Sequence, residues 1–579
     1  MTNAPHDAPS VISLVPWDEV DRQLTAPGSM FEIEDATLDG VTIRTWKYAP
    51  ANLGLIFAFS QIHADKDWIV YGDERVTFSK HRGAVANLAN RLLEDGVKPG
   101  DRVAIVMRNY PEWSVAFWAS VLVGAIAAPL NAWWTLPELR YGLEDCQPKV
   151  AILDGERWAI LKDVLPTLPG LDRTYVSRMS ADLGPHAAAL EDIIGAPGSL
   201  HAAERDLPSV DIAPDQPATL FYTSGTTGKP KGAIITHRNI VSITFNAAYS
   251  LARSQLRRGV LPSPPDFSTQ KSFLVSVPLF HGAGAFAILV PALFRGIKLV
   301  FQHKFDADQA LALIAQEQIT NFGGVPTIAW QVVENPNLGK FDLTSIEGGS
   351  FGGAPSPPEL VRRIRSVFPS VEIGQGWGMT ETTATVISHS GTDYEDRPTS
   401  CGRPAPTGEV RIVRGDGTDA DPLEVGELWY RGPSVVRGYW NNPEATAETF
   451  KDGWVKTGDL ASRDADGFIY IVDRAKDMLI RGGENIYCVE VENALRTHPA
   501  INDAAVVGRP HPTLGEEPVA FVLLRPNQPC DAQTLKTWVS VQLAAFKVPV
   551  EIRFMTEALP RNASGKLIKG QLRDLLANA

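Results

Sequence analysis

Cysteine is scarce. Four residues among 579 (Cys146, Cys401, Cys488 and Cys530) have spacings that suit neither a disulfide framework nor a zinc site. Each is expected as a buried thiol in a reducing compartment. Long apolar runs are missing too. The longest, Val115 to Leu130, is shorter than a membrane span and contains Gly124 and Pro129. Pro111 precedes it at a helix start, so a buried helix followed by a core strand is expected. The N-terminal MTNAPHDAPS has no basic or apolar stretch, which argues against a signal peptide. Positive charge is in deficit: 54 Lys and Arg stand against 67 Asp and Glu, a net charge of −13. That balance disfavours nonspecific binding to nucleic acid, and any anionic ligand must be met by local lysines. These exclusions leave a cytoplasmic globular protein without a membrane span, too long for one simple domain.

What is present alternates between strand-like and helix-like segments. DRVAIVM, KVAILD, KSFLVSV and IKLVFQ read as buried strands, and FDADQALALIAQEQ and PPELVRRIRSVF as amphipathic helices. The pattern predicts an α/β fold with mostly parallel strands. A boundary is expected near Asp473 to Asp477, followed by a compact αβ module of about a hundred residues. Two stretches read as surface insertions. Ser177 to Val210 is rich in Ala, Gly, Pro and acidic residues. Ala252 to Gln270, with its arginines and prolines, reads as a solvated loop.

The densest chemistry lies at Tyr222 to Gly232, YTSGTTGKPKG. Gly225, Gly228 and Gly232 allow close backbone approach. Thr223, Ser224, Thr226 and Thr227 supply hydroxyls, and Lys229 and Lys231 supply charge, a combination suited to a polyphosphate. It is not the common P-loop, because Pro230 follows Gly228-Lys229 where that loop needs Ser or Thr. Taken alone, the segment could also be an ordinary turn between strands.

Further motifs follow in order: GWGMTE at Gly376 to Glu381, YRGPSVVRGYWNNPEAT at Tyr430 to Thr446, GWVKTGD at Gly453 to Asp459, DRAKDMLIRGGENIY at Asp473 to Tyr487, and PRNASGKL at Pro560 to Leu567. Together with the glycine-rich loop this series closely resembles the signatures of the adenylate-forming enzymes, from about Tyr71 onwards, and most of all the fatty and medium-chain acyl-CoA synthetases. The resemblance implies a large layered N-terminal domain of mixed sheets and helices, residues 1–473. A small mobile α+β C-terminal domain, 474–579, would turn about a hinge at Lys476. It implies an enzyme that joins a carboxylic acid to AMP with release of pyrophosphate, then passes the acyl group to CoA. A medium- or long-chain fatty acid is the expected substrate, with an aryl-CoA ligase, or an acyl-AMP ligase loading a separate carrier protein, as alternatives. No carrier segment follows Lys566, so a separate thiol acceptor is expected. ATP, Mg²⁺ and CoA are the implied cofactors, and a homodimer is compatible with the resemblance.

Residue by residue, the resemblance assigns Thr223 to Lys231 to the β- and γ-phosphates. It assigns Thr380 to the α-phosphate and Glu381 to Mg²⁺, where a single carboxylate suits that ion. Trp377, with Gly353, Ala354 and Pro355 opposite, would hold adenine. Asp459 would accept from both ribose hydroxyls, with Arg474 assisting. Lys566 would bridge the carboxylate and α-phosphate. Gly482 and Gly483 would line the thiol route. His281, in PLFHG, would gate the thiol path or orient the carboxylate, and Phe280, Phe286 and Gly374 are candidate walls of an apolar acyl pocket. Several of these have plainer readings: Asp459 as a turn residue, Trp377 as core, Lys476 as a surface lysine. The chain departs from the family pattern at Cys488, where proline is frequent, and at Val550, where a basic residue often stands.

Overall fold

The computed structural model describes residues 14–179, 183–223, 229–262, 267–353, 358–562 and 565–577. Two large sheets organise the first three-quarters of the chain. In one, seven strands run in the order Lys231–Thr236, Pro217–Thr223, Ile126–Pro129, Arg102–Val106, Val150–Asp154, Arg173–Ser177, Ala188–Ala189. All its pairs are parallel except the first. In the other, nine strands place Glu372–Gly378, Gly348–Gly352, Asn321–Gly324, Ser272–Val275, Lys298–Phe301 and Asp67–Tyr71 side by side, all parallel. Antiparallel strands close both edges.

The helix Pro111–Leu122 and the strand Ile126–Pro129 occupy the apolar run as expected, and every residue of that helix is buried. A helix apolar all round must lie between layers, and its Trp113, Phe117 and Trp118 join the main core. The helix His237–Arg257 starts from a capping box made by Thr236 and Asn239. It follows the strand Lys231–Thr236, which pairs antiparallel with Pro217–Thr223, so the glycine-rich segment connects two adjacent strands, Thr223 standing opposite Lys231.

A five-stranded antiparallel sheet (Glu409–Val413, Gly426–Arg431, Trp454–Arg463, Phe450–Lys451 and Ile469–Arg474) follows. After the turn at Ala475 to Asp477 the chain builds a separate sheet of Glu484–Ile486, Leu479–Arg481, Gly515–Leu524, Ile501–His511 and Glu551–Met555. The helix Cys488–Arg496 packs on that sheet, which has its own apolar clusters.

Both insertions are better anchored than their composition suggests. Arg178 sends its guanidinium to Glu74 at 2.7 and 2.8 Å and to Glu112 at 3.0 and 3.1 Å. Leu190, Ile194 and Leu200 are buried in the main core. Ala252 to Arg257 is not loop but the end of the helix His237–Arg257. Arg257 pairs with Asp393 at 2.9 Å, and Arg253 donates to the carbonyls of Ser388 and Pro404. Guanidiniums can be buried where carbonyls and a carboxylate meet them, which composition does not reveal. Residues 263–266 of the second insertion lie outside the described residues. Cys146, Cys401 and Cys488 are buried, whereas Cys530 is part-exposed because it sits at the end of a surface loop. Among the described residues no helix is long and apolar enough to cross a membrane.

Candidate active site

The carboxyl ends of the parallel strands in both large sheets open onto one cavity of about 1350 Å³. Crevices at such ends are the usual ligand sites of open α/β sheets. Asn109, just past the strand Arg102–Val106, ties the two sheets together. Its side chain donates to the Val277 carbonyl and accepts from the Leu279 N–H, both at 2.9 Å. Those bonds fix the segment that ends in His281. The small C-terminal sheet and its helices close the other side of the cavity, and Lys566 reaches in from there.

Trp377 and Asp459 come together. Trp377 ends the strand Glu372–Gly378 and is 8% exposed, and its indole Nε1 donates to Asp459 Oδ2 at 2.8 Å. Arg474, directly across the antiparallel pair from Asp459, places Nε 3.2 Å from Oδ1. Both carboxylate oxygens are therefore held, each on a different side. Gly353 adopts φ +76°, and a Cβ there would lie 3.6 Å from Lys566 Cε. That distance is ordinary contact, so the positive φ, not lack of room beside the lysine, is what favours glycine there.

Lys566 is clamped at its backbone, its N–H donating to Asn562 Oδ1 at 3.0 Å and its carbonyl accepting from the Asn562 N–H at 2.9 Å. Burial first, and the nearby Arg474 second, pull its ammonium pKa down to about 8, against the pull of Asp459 and Glu381. A buried cation facing other cations is poised for an anion.

Thr380 and Glu381 begin the 3₁₀ turn Thr380–Thr382. Glu381 is buried, which raises its pKa, and Tyr439 donates to its Oε1 at 2.6 Å. Lys231 Nζ sits 5.0 Å from the Tyr439 ring centre. Among the described residues no cluster of three or more His, Cys, Asp or Glu could cage a metal. A single carboxylate fits Mg²⁺, which keeps waters and phosphate oxygens as its other ligands.

His281 is held neutral: burial, then the charge of Lys566, lowers its pKa to about 4, and among the described residues its Nε2 is buried without a partner. Phe280 lines the cavity, while Phe286 is fully buried 4.6 Å from Phe221 in the core. A Cβ at Gly374 would meet Ser390 and His389, not the cavity. Thr223 ends its strand opposite Lys231, and Lys229 lies over the Tyr141 ring at 4.9 Å. Ser224, Gly225, Thr226, Thr227, Gly228, Ala354 and Pro355 lie outside the described residues. Gly482 and Gly483 are exposed in the hairpin of Leu479–Arg481 and Glu484–Ile486, away from the cavity wall. Lys476 lies in the turn between the last strand of the antiparallel sheet and the C-terminal sheet, beside the cavity. Tyr439 falls inside the motif from Tyr430 to Thr446, which assigns it no role; that its ring lies between Lys231 and Glu381 is a tertiary fact. Asn109 carried no sequence signal.

The AMP-binding enzyme family matches residues 57–440, and the AMP-binding enzyme C-terminal domain matches residues 490–566. The chain is 35% identical over 503 residues to the feruloyl-CoA synthase of an Amycolatopsis species, covering 87% of this chain and 94% of that one. It is 32% identical over 505 residues to a long-chain-fatty-acid–CoA ligase of Mycobacterium tuberculosis, covering 87% and 93%. Among solved structures, the anthranilate CoA ligase AuaEII in complex with anthranoyl-AMP superposes with TM-score 0.79 at 28% identity, covering 92% of this chain and 99% of that one. The o-succinylbenzoate CoA synthetase of Bacillus subtilis with ATP and magnesium gives 0.74 at 30%, covering 90% and 99%. The chain belongs to the AMP-binding enzyme family and is an AMP-forming acid–thiol ligase that uses ATP, magnesium and CoA, with the acid passing through an acyl-AMP.

Proposed function

We propose that this ligase works on acids with an extended apolar tail, medium- or long-chain fatty acids first, in the cytoplasm. We further propose that Lys566, Glu381, Thr380, Asp459, Arg474 and Trp377 carry its first half-reaction. The observation that carries this assignment is the entry of Lys566 from the small domain into the cavity lined by Trp377, Asp459 and Arg474.

A carboxylate attacks poorly at phosphorus unless the triphosphate charge is neutralised and the two groups are held in line. Asp459, fixed by Trp377 and Arg474, is suited to accept from ribose hydroxyls, while the Trp377 ring offers a face for adenine. Glu381 would hold Mg²⁺, and the ion would neutralise phosphate charge. Lys566 bridges the acid carboxylate and the α-phosphate, where charge shifts as the anhydride forms. Lys229, Lys231 and the glycine-rich loop take the departing pyrophosphate. His281, neutral at working pH, orients the acid by hydrogen bonding instead of charge. Val275, Val277, Pro278, Phe280, Val325 and Ile328 give that part of the cavity an apolar wall. For the thioester step, the domain beyond residue 473 turns about Lys476 and brings Gly482 and Gly483 from the surface to the thiol route.

A second reading, an aryl-carboxylate substrate, is favoured by the similarity to feruloyl-CoA synthase. The deciding experiment measures pyrophosphate release with Mg·ATP across fatty and aryl acids, with and without CoA. Turnover that CoA accelerates, with most activity on fatty acids, supports the first reading. Preference for cinnamate-like acids supports the second. A stoichiometric burst that CoA cannot turn over would contradict CoA as acceptor and point to a carrier protein.

A further inference from the structure

Glu334 stands at the C-cap of the helix Pro326–Val333. A carboxylate is misplaced there, because the last turn of a helix exposes carbonyl oxygens and favours cations. Its partner comes from the other domain. Arg525 Nη1 lies 2.8 and 2.9 Å from the two Glu334 carboxylate oxygens. Arg525 is itself prepared for the contact. Its backbone N–H donates to the Ala500 carbonyl at 2.8 Å and its Nε to the Ile501 carbonyl at 3.1 Å. Both side chains are about two-thirds withdrawn from solvent, at 31% and 27% exposure. Among the described residues this is the one ion pair that joins the two sides of the turn at Ala475 to Asp477.

The other end of the same helix touches the catalytic loop. Gly565, next to Lys566, has φ +78°, and a Cβ on it would lie 2.8 Å from Val325 and 3.5 Å from Thr327. An eight-residue helix is about 12 Å long. The small domain is thus held at two points that far apart along one rigid element, with Lys566 beside one of them. Near the turn, the Val489 N–H also reaches Asp473 Oδ2 at 3.4 Å, but contact at Gly565 alone leaves the far end of the helix Pro326–Val333 unanchored. The ion pair fixes that far end.

We propose that Glu334 and Arg525 form an interdomain latch that positions Lys566 in the nucleotide cavity for acyl-AMP formation and that must open before the thioester step. Both residues also line the cavity; the role proposed for the pair is to position Lys566, not to bind substrate. The inference rests on the reading above that the domain beyond residue 473 turns about Lys476. An exposed or half-exposed pair contributes modestly, so the expected effects are severalfold, not complete losses.

The test uses the full chain as Glu334→Gln, Arg525→Gln and the exchanged pair Glu334→Arg with Arg525→Glu. Single-turnover acyl-AMP formation is measured with an accepted acid, and thioester formation is measured separately from preformed acyl-AMP and CoA. Each single variant is expected to slow the first reaction about fivefold and leave the second unchanged or faster. The exchange is expected to recover most of the loss. Added salt should slow acyl-AMP formation in the parent protein and not in Glu334→Gln. Equal slowing of both half-reactions means a general stability role and overturns the latch, as does failure of the exchange to recover. Limited trypsin digestion without substrate gives an independent readout. Faster cleavage at Lys476 in Glu334→Gln is expected; unchanged cleavage overturns the proposal even if no tested acid proves to be a substrate.

Discussion

Trp377 donates to Asp459 through its indole nitrogen at 2.8 Å, so the aromatic platform and the carboxylate are one unit. The bond spans 82 residues and joins the end of a parallel strand to the neighbouring antiparallel sheet. A buried carboxylate oxygen that loses its donor costs roughly 1.5–3 kcal/mol. Trp377→Phe keeps a flat ring and loses the donor, and is expected to raise the KM for ATP about tenfold and to lower folding stability by up to about that cost. Asp459→Ala is expected to cost about a hundredfold in kcat/KM for ATP. The two effects should be less than additive in the double variant, because they share one interaction. Strict additivity in steady-state kinetics would show that Trp377 and Asp459 serve the nucleotide separately.

Lys566 yields a pH prediction. Its folded pKa is lowered to about 8 from an ordinary 10.5. Acyl-AMP formation needs the protonated form and should decline above pH about 8, while thioester formation from preformed acyl-AMP should not follow the same curve. The sign for stability is the opposite. Between about 8 and 10.5 the unfolded chain binds the proton that the folded chain has released, so this group's contribution to stability rises with pH over that window. Below pH 8 the folded state bears the full cost of the buried charge. Lys566→Met should therefore lose at least about a hundredfold in acyl-AMP formation, and its melting temperature at pH 7 should not fall below that of the parent. A large drop in melting temperature would mean that the ammonium is a structural partner.

Tyr439 orients the candidate metal ligand. Its phenol donates to Oε1 of a buried Glu381, which fixes how the carboxylate is turned. Groups that orient a ligand typically matter about tenfold to a hundredfold in metal affinity. Tyr439→Phe is expected to raise the magnesium concentration needed for half-maximal pyrophosphate release about tenfold. Calorimetric binding of ATP should weaken in magnesium and change little in EDTA. Equal weakening in both would place Tyr439 with the phosphates, not the metal.

Much of this arrangement could be read from the chain. The alternation of apolar strands with amphipathic helices announced parallel sheets, and the strands Arg102–Val106, Val150–Asp154, Ser272–Val275 and Lys298–Phe301 fall within the segments expected. Local patterning is enough there because a strand buried on both faces must be apolar throughout. Motif order picked out Trp377, Asp459 and Lys566, which the fold brings to one cavity, and Glu381, which lies buried two residues beyond the lining residue Met379. What stayed hidden is tertiary. Asn109 bridges two sheets, Tyr439 reaches Glu381 across 58 residues, and Arg525 finds Glu334 across 191. No periodicity or spacing encodes such pairs. Phe286 misled for the same reason: an aromatic after PLFHG suits a pocket wall and a core equally, and here it packs on Phe221.

The arginines from Arg253 to Arg258 show the limit of composition most sharply, and they can be tested. By composition they belong to a solvated loop. In the fold Arg257 is 7% exposed and meets Asp393, with a further bond to the carbonyl of Val15, whereas Arg258 pairs with Glu372 at a site about one-third exposed. Breaking a buried pair strands a charge and typically costs 3–5 kcal/mol, while a surface pair is worth roughly 0–1 kcal/mol. Arg257→Ala should therefore lower the denaturation midpoint strongly, and Arg258→Ala should scarcely move it. Asp393→Asn should fall between the two, since it keeps an acceptor and removes the charge. Chemical denaturation of the three variants separates the alternatives. Equal, small shifts would return the segment to solvent, as its composition suggested, and a large shift confined to Arg257 and Asp393 would place it in the core that anchors the residues just before the helix Trp17–Leu24.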